Sequence, residues 1–481
     1  MIVVGNCDRG ELAPSIRSLT DTVAEFAANL RYEEIPAEVV KKVKLHLLDT
    51  IACAVGGANT DIAEISRVAG HGMSGDGTCA VYGSDALLTP AVAAFTNSNI
   101  ANALDFDDGT EMNGKGLGHP GASLVPAALA GLAENRIEGK RLVTALAAGY
   151  EVNNRLIVAV QPSAERFEEV YGVGQHQSIG AAVAYGILLK LSGDAMHNAI
   201  GLAGTLTSVP SLHKYNWNER PIVSFKDGVA PAAMAGVNAG NLTLAGFIGS
   251  KNLFDGNQGF WRMLGSDRFD GERLTSDLGR DWATMNSSFK VYPACRWLAP
   301  ALEAFEALLS EAAIRPSDIA SIEVHTFSKI EADLMERRPK NAIDGQFSLP
   351  YLLAVLAHRK QKGAPWFDTQ VFGDPEIHRI ADKVVARVDA GMDAAMRGEN
   401  RRPSATVLVT TQNGKQFKRH INAPLGSRIR PVGDDVVIAK AQSNLEIGGI
   451  DAERMIAYIE SLGSNEERVS QDALVRGVFP G

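Results

Sequence analysis

The chain has 481 residues, 45% of them hydrophobic, and a formal net charge of −9, a size that predicts roughly two to four domains with ample cores. With a pI near 5.7 there is no excess of Lys and Arg to make nucleic acid or an anionic membrane surface the main partner. The four cysteines, Cys7, Cys53, Cys79 and Cys295, lie far apart without a Cys-x-x-Cys spacing, which argues against a disulfide framework or structural zinc and fits a reducing cytoplasm.

From the start, MIVVGNCDRGELAPS is too short and polar for a signal peptide, and no apolar run reaches the roughly 18 residues of a membrane span. A cytoplasmic protein with no membrane segment is expected. The first roughly 270 residues read as helix after helix. Pro36 opens VVKKVKLHLLDTIACAV, which Gly56-Gly57 ends, and Thr89-Pro90 opens another helix running toward Asp105. GASLVPAALAGLAEN, KRLVTALAAGYEVNNRLIVAV, SIGAAVAYGILLKL, GDAMHNAIGLAGTL and GVAPAAMAGVNAGNLTLAG follow, rich in small residues that let helices approach closely.

After Trp282, β-branched alternation appears in IASIEVHTFSKI and ATVLVTTQNGKQFKRHI, the second with an Asn413-Gly414 hairpin signal. FSLPYLLAVLAHRK and the stretch from Pro375 to Gly391 read as helical, as does the tail from Ala439 to Ser461, which is expected to pack back on the first domain. The polar end from Ser464 is expected to be loosely held. The predicted fold class is mainly α: a large all-helical domain over 1–280 and 435–481, and a smaller α+β lid domain over 281–434.

Familiar motifs fail. Gly172-Val173-Gly174 lacks the third glycine of a dinucleotide fingerprint, Gln177 standing in its place, and Ser211 to Lys214 matches Ser-x-x-Lys without its companion motifs. No His-Glu-x-x-His, Gly-x-Ser-x-Gly or P-loop is present.

The stretch ALDFDDGTEMNGKGLGHPG, Ala103 to Gly121, stands out because it joins Asp105, Asp107 and Asp108 to His119-Pro120 through a glycine-rich loop. Clustered carboxylates after an apolar helix shift their pKa values by desolvation and mutual repulsion, which suits acid/base work. Asp105 and His119 are the expected proton-transfer pair, with Asp107 and Asp108 left to capping or ion pairing. His176 sits between glycines before an apolar helix, either as a cap or beside a ligand. Lys226 in SFKDG is either a surface partner of Asp227 or a cation for a substrate carboxylate. Lys290, Tyr292, Cys295 and Arg296 surround a proline at the interdomain junction, where ligand clefts are favoured. Gln346, Ser348 and Tyr351 begin a helix that Ser348 can cap.

Taken together these residues resemble the MmgE/PrpD family, which includes 2-methylcitrate dehydratase, cis-aconitate decarboxylase and iminodisuccinate epimerase. The likeness runs from about Leu47 to His420 and rests on DFDD, His119-Pro120, the Gly-x-His step at His176, SFKDG, Lys290-x-Tyr-Pro and DGQFSLPY. It implies a helical domain topped by an α+β lid, a cleft between them, a homodimer, and chemistry without an essential metal or organic cofactor. It also implies a site of Asp105, His119, His176 and Lys226, completed by Tyr351 and by Cys295 at a lid position that is histidine in the decarboxylase branch. The chain departs from the family at Gly109, in the longer GTEMNGKGLG insert, at Gln177-Ser178 in place of Pro-Thr, and at YNWNER.

The expected activity is that of a lyase on a small anionic polycarboxylate, chiefly dehydration of a 2-methylcitrate-like hydroxy acid. An epimerase or decarboxylase of a related polycarboxylate, or a non-catalytic binding protein, are the alternatives. Lys226, with Lys290 or Arg296, would hold carboxylates and stabilise an enolate. His119 would move the α-proton, Asp105 would tune it or protonate a leaving hydroxyl, and His176 would bind a second carboxylate or act as the opposing acid. Tyr292, Cys295 and Tyr351 complete the expected substrate contacts.

Overall fold

The computed structural model describes residues 17–112, 115–133, 137–169, 174–208, 220–222, 224–225, 227–464 and 468–479. Helices that are apolar on every side must be buried on every side, and several of the N-terminal helices are. In the Pro90–Ala101, Pro120–Ala130 and Gln177–Leu188 helices essentially every residue is buried. Each of the three packs against the Val229–Leu244 helix, and Pro120–Ala130 packs against the other two as well. Small residues permit it: a Cβ on Gly236 would come within 2.5 Å of the Ala181 Cβ. The long Ala37–Gly57 helix follows Pro36 and carries the polar residues His46, Asp49 and Thr50 into the interior.

The helical tail packs back as expected. The Asp434–Ile447 helix lies along Ala37–Gly57, and Ala441, Leu445, Met455 and Ile459 join the same hydrophobic cluster as the N-terminal helices. The end beyond Ser464 differs from expectation. Its Gln471–Arg476 helix is capped by Ser470 and buries Ala473, Leu474 and Val475, and Gln471 bonds to the Ala80 N–H and the Leu129 carbonyl. Three apolar residues in one short turn are enough to dock a polar segment.

A second hydrophobic cluster is built on a four-stranded sheet. Ile319–Thr326 pairs in parallel with Val384–Val388 and antiparallel with Ala405–Thr411, which returns through Asn413-Gly414 to Gln416–Ile421. The turn glycine takes φ 81, as the hairpin requires. The Ala299–Glu311 helix covers the hairpin strands, and Leu349–Ala357 packs beside it. Within the stretch read as helical from Pro375 to Gly391, the segment VVARV is a strand. Its first four residues alternate buried and exposed, and it gains its partner from Ile319–Thr326.

Two small sheets interrupt the region read as all helical. Cys79–Val81 pairs with Ser84–Leu88, and Gly109–Met112 lies between Lys115–Gly116 and Ser287–Ser288. Strands of two to five residues leave too little period-2 alternation to be seen in sequence. Among the described residues no helix is long and apolar enough to cross a membrane.

Candidate active site

The Pro90–Ala101 helix ends at Asn102, and the chain then turns sharply. Leu104 and Phe106 enter the sheet-centred cluster together with Cys53, Ile62 and Ile222. Asp105 between them takes φ 48, a left-handed conformation that an aspartate tolerates better than most residues. Each of the carboxylates that follow has its own support. Lys290 Nζ donates to Asp105 Oδ1 at 2.6 Å. Asn102 Nδ2 donates to Asp107 Oδ1 at 3.0 Å. Asp108 accepts from the Gly121 N–H at 2.9 Å and the Tyr150 hydroxyl at 2.7 Å.

His119 stands at the N-cap of Pro120–Ala130. Its Nδ1 lies 3.1 Å from Asp107 Oδ2, and its Nε2 lies 3.8 Å from Asp105 Oδ1 and 3.9 Å from Asp227 Oδ2. Burial pulls its pKa down, but the charges of Asp107 and Asp227 and the hydrogen bond to Asp107 outweigh this, so the pKa sits above its ordinary value. The His119 side chain is 14% exposed, against 3% for Asp105 and none for Asp107. It is therefore the most reachable of these groups. Gln177 fixes its backbone at both polar groups: the His119 N–H donates to Gln177 Oε1 at 3.0 Å, and Gln177 Nε2 donates to the His119 carbonyl at 2.9 Å.

The starts of three helices meet here. Gln177 Nε2 also donates to Ser123 Oγ, whose hydroxyl donates to the Val229 carbonyl at 2.8 Å. Gly174 lies so close to the Asp227 carbonyl that a Cβ would be 2.1 Å from it. Helices beginning at Pro120, Gln177 and Val229 thus converge their N-terminal ends, whose partial positive charge favours an anion.

Models of the MmgE/PrpD N-terminal domain and the MmgE/PrpD C-terminal domain match residues 21–271 and 292–463. The chain belongs to the MmgE/PrpD family. It is 26% identical to a cis-aconitate decarboxylase of Aspergillus terreus over 94% of both chains. It is 25% identical to a cis-aconitate decarboxylase-like protein of Aspergillus oryzae, over 91% of this chain and 92% of the relative. To the human cis-aconitate decarboxylase it is 22% identical, over 97% and 96%.

Asp105, Asp107, His119 and Asp227 all fall in the MmgE/PrpD N-terminal domain, and Lys290 falls between the two matched regions. The sequence reading left Asp107 to structure, yet it is Asp107 that touches the imidazole. Asp227 and Gln177 were not singled out as site residues. SFKDG places Asp227 beside the expected lysine, and Gln177 stands at one of this chain's departures from the family, so both had a signal. Lys226 lies outside the described residues.

His176 is 1% exposed and its Nε2 has no hydrogen-bond partner among the described residues. Burial pushes its pKa down to about 3. It is a neutral imidazole, a donor or acceptor and not a resident cation. Cys295 is buried near Asp105, Asp227 and Lys290; burial, with the Asp105 charge, pushes its thiol up to about 12.

The other expected contacts are engaged elsewhere. Arg296 Nη1 donates to Glu111 Oε1 at 2.5 Å inside the hairpin formed by the insert, where Gly109 and Gly116 leave room for it. The Tyr292 hydroxyl donates to Glu306 Oε2 at 2.5 Å. The Tyr351 hydroxyl bonds to the Trp366 carbonyl, and its ring stacks on Phe372. Ser348 caps its helix by accepting from the Tyr351 N–H at 3.1 Å. From YNWNER, Arg220 is described: it donates to Asp344 Oδ1 at 2.5 Å and to the Asp333 and Phe347 carbonyls, tying its segment to the sheet-bearing half.

Asp105, Asp107 and His119 offer ligand atoms within 4.8 Å of one another, a spacing that a metal ion could use. Among the described residues the Lys290 ammonium lies against them, 2.6 Å from Asp105.

Proposed function

We propose that this MmgE/PrpD chain is a lyase acting on a small polycarboxylate by proton transfer through His119, with dehydration of a 2-methylcitrate-like hydroxy acid as its reaction. One observation carries the reading: His119 commits Nδ1 to Asp107 while Nε2 stays beyond hydrogen-bond distance of both Asp105 and Asp227. Nε2, the nitrogen not committed to Asp107, is the one available to exchange a proton.

In this mechanism neutral His119 takes the proton from the carbon next to a substrate carboxylate, and the electron pair moves into that carboxylate as an enolate. Lys290, the three helix starts and, as expected from sequence, Lys226 stabilise the added charge. The C–O bond then breaks, the C=C bond forms, and the proton on His119 leaves with the hydroxyl as water. Asp105 holds Lys290 in place, and neutral His176 is suited to hydrogen-bond a substrate carboxylate. The names of the relatives favour a second reading, decarboxylation of the same substrate class, in which His119 would deliver a proton to the carbanion left by CO2. Cys295 supports dehydration, since a protonated thiol replaces the histidine expected of the decarboxylase branch.

The test is incubation with 2-methylcitrate, citrate and cis-aconitate in D2O, following alkene absorbance, released CO2 and deuterium incorporation. Alkene without CO2 from 2-methylcitrate is expected, with His119→Ala slower by roughly 10²–10⁴. CO2 from cis-aconitate would establish the second reading, and deuterium incorporation without either product would establish an epimerase. No change in any substrate would overturn the reading. Light scattering tests the homodimer that the family resemblance implies.

A further inference from the structure

Beneath the site lies a buried group that the mechanism above does not use. Asp108 is fully buried, with His46 Nδ1 2.7 Å from its Oδ2 and the Tyr150 hydroxyl donating to the same oxygen at 2.7 Å. Its other oxygen accepts from the N–H of Gly121, two residues beyond His119, with only Pro120 between them. Proline fixes φ, so little freedom separates the held amide from the imidazole. Gly121 is required for this approach: a Cβ there would come within 2.4 Å of Thr50 Oγ1 and 2.9 Å of Asp108 Oδ1.

We infer that Asp108, gripped by His46 and Tyr150, is the positioning residue for His119. It fixes the start of the Pro120–Ala130 helix and with it the placing of the imidazole among Asp105, Asp107 and Asp227. His46 reaches the other half of the site as well. Its ring stacks on Phe289, centroids 4.4 Å apart and planes 19° apart, and the next residue is the Lys290 that holds Asp105. One buried histidine thus registers the supports of both His119 and Asp105.

Electrostatics agrees. Burial pulls the Asp108 pKa up, but the contacts from His46, Tyr150 and Gly121 outweigh it and leave the group ionised below the usual carboxylate range. Burial pushes the His46 pKa down against the pull of Asp108, whose Oδ2 lies 2.7 Å from the ring. The neighbouring charges are Lys42, Asp49 and Lys440. Asp49 and Lys440 pair with each other at 2.7 Å.

This inference rests on the proposed role of His119, and its test separates the two. Asp108→Asn, Tyr150→Phe and His119→Ala are made in the full chain, and kcat, KM and the His119 titration by NMR are measured. Asp108→Asn is expected to lower kcat by roughly 10² while KM changes little, because small misplacements of a catalytic group cost about that much. It is also expected to lower the His119 pKa as the ring draws away from Asp107 and Asp227. Tyr150→Phe, which removes one donor, should show the same changes at smaller size and serves if the Asn variant does not fold. His46→Gln, which keeps a donor, should retain more kcat than His46→Leu. If His119→Ala is inactive while Asp108→Asn and Tyr150→Phe keep wild-type kcat and His119 titration, positioning by Asp108 is overturned and the lyase reading stands. If His119→Ala stays active, the lyase reading falls, and the His119 titration in the Asp108 and Tyr150 variants still decides the positioning.

Discussion

Asp107 Oδ2 stands 3.1 Å from His119 Nδ1, and Asp107 is itself oriented by Asn102 at 3.0 Å. This buried carboxylate fixes which imidazole nitrogen is engaged and, with Asp227, lifts the His119 pKa above its ordinary value against the opposing pull of burial. A base with a raised pKa must lose its proton before it can act, so kcat/KM should rise with pH through a midpoint above about 6.5. Asp107→Asn removes the largest upward contribution and should move that midpoint to lower pH, with a lower plateau from the misoriented ring. The sign for stability follows from the same shift. The Asp107–His119 contribution is fully present below the unfolded pKa near 6.5 and is lost as pH rises through the folded value. A pH–rate profile whose acidic limb does not move in Asp107→Asn would refute the pairing.

Much of the fold is legible in the sequence because its signals are local. Pro36, Thr89-Pro90 and Asn413-Gly414 each punctuate an element at the place the structure puts it. The strand Gly109–Met112 is not legible, since its pairing with Ser287–Ser288 joins distant segments and each strand is short. The site divides in the same way. His119 and the acidic run stand out as residue types in an unusual cluster, but which carboxylate meets the imidazole depends on the left-handed turn at Asp105. Asp227 and Gln177 arrive from separate segments through helix packing, for which periodicity carries no information. Arg296 and Tyr351 were visible as polar groups, while the partners that occupy them, Glu111 and the Trp366 carbonyl, are set by tertiary structure alone.

The Glu111–Arg296 pair decides whether the arginine binds substrate or holds the hairpin. Glu111 is fully buried and Arg296 12% exposed, and Glu111 Oε2 also accepts from the Arg428 N–H at 3.0 Å. Breaking a buried pair leaves an uncompensated charge and costs about 3–5 kcal/mol. Arg296→Met should therefore lower the melting temperature strongly, and the Glu111→Gln, Arg296→Met double variant should lose less than the sum of the two single changes. Unchanged stability together with a large rise in KM in Arg296→Met would instead assign the arginine to substrate binding.

Gln177 replaces the proline expected of the family at the position after His176, and in this chain it performs a task a proline could not. Its amide accepts from the His119 N–H and donates to the His119 carbonyl, while the same nitrogen reaches Ser123 Oγ at 2.6 Å. Gln177→Leu keeps much of the volume and removes all three contacts, leaving the backbone groups of His119 without that partner. Buried polar groups stripped of a partner cost about 1–3 kcal/mol, so a moderate loss of stability is expected. The larger effect should be on kcat, which requires the imidazole to be held in place beside Asp107. Gln177→Glu retains the acceptor for the His119 N–H but has no amide donor when ionised, and its charge opposes the anion-favouring field of the converging helices. It should therefore raise KM for a polycarboxylate more than Gln177→Leu does. Steady-state kinetics of the two variants against melting curves checks the split, and equal KM values in both would show that substrate charge is not sensed at this helix start.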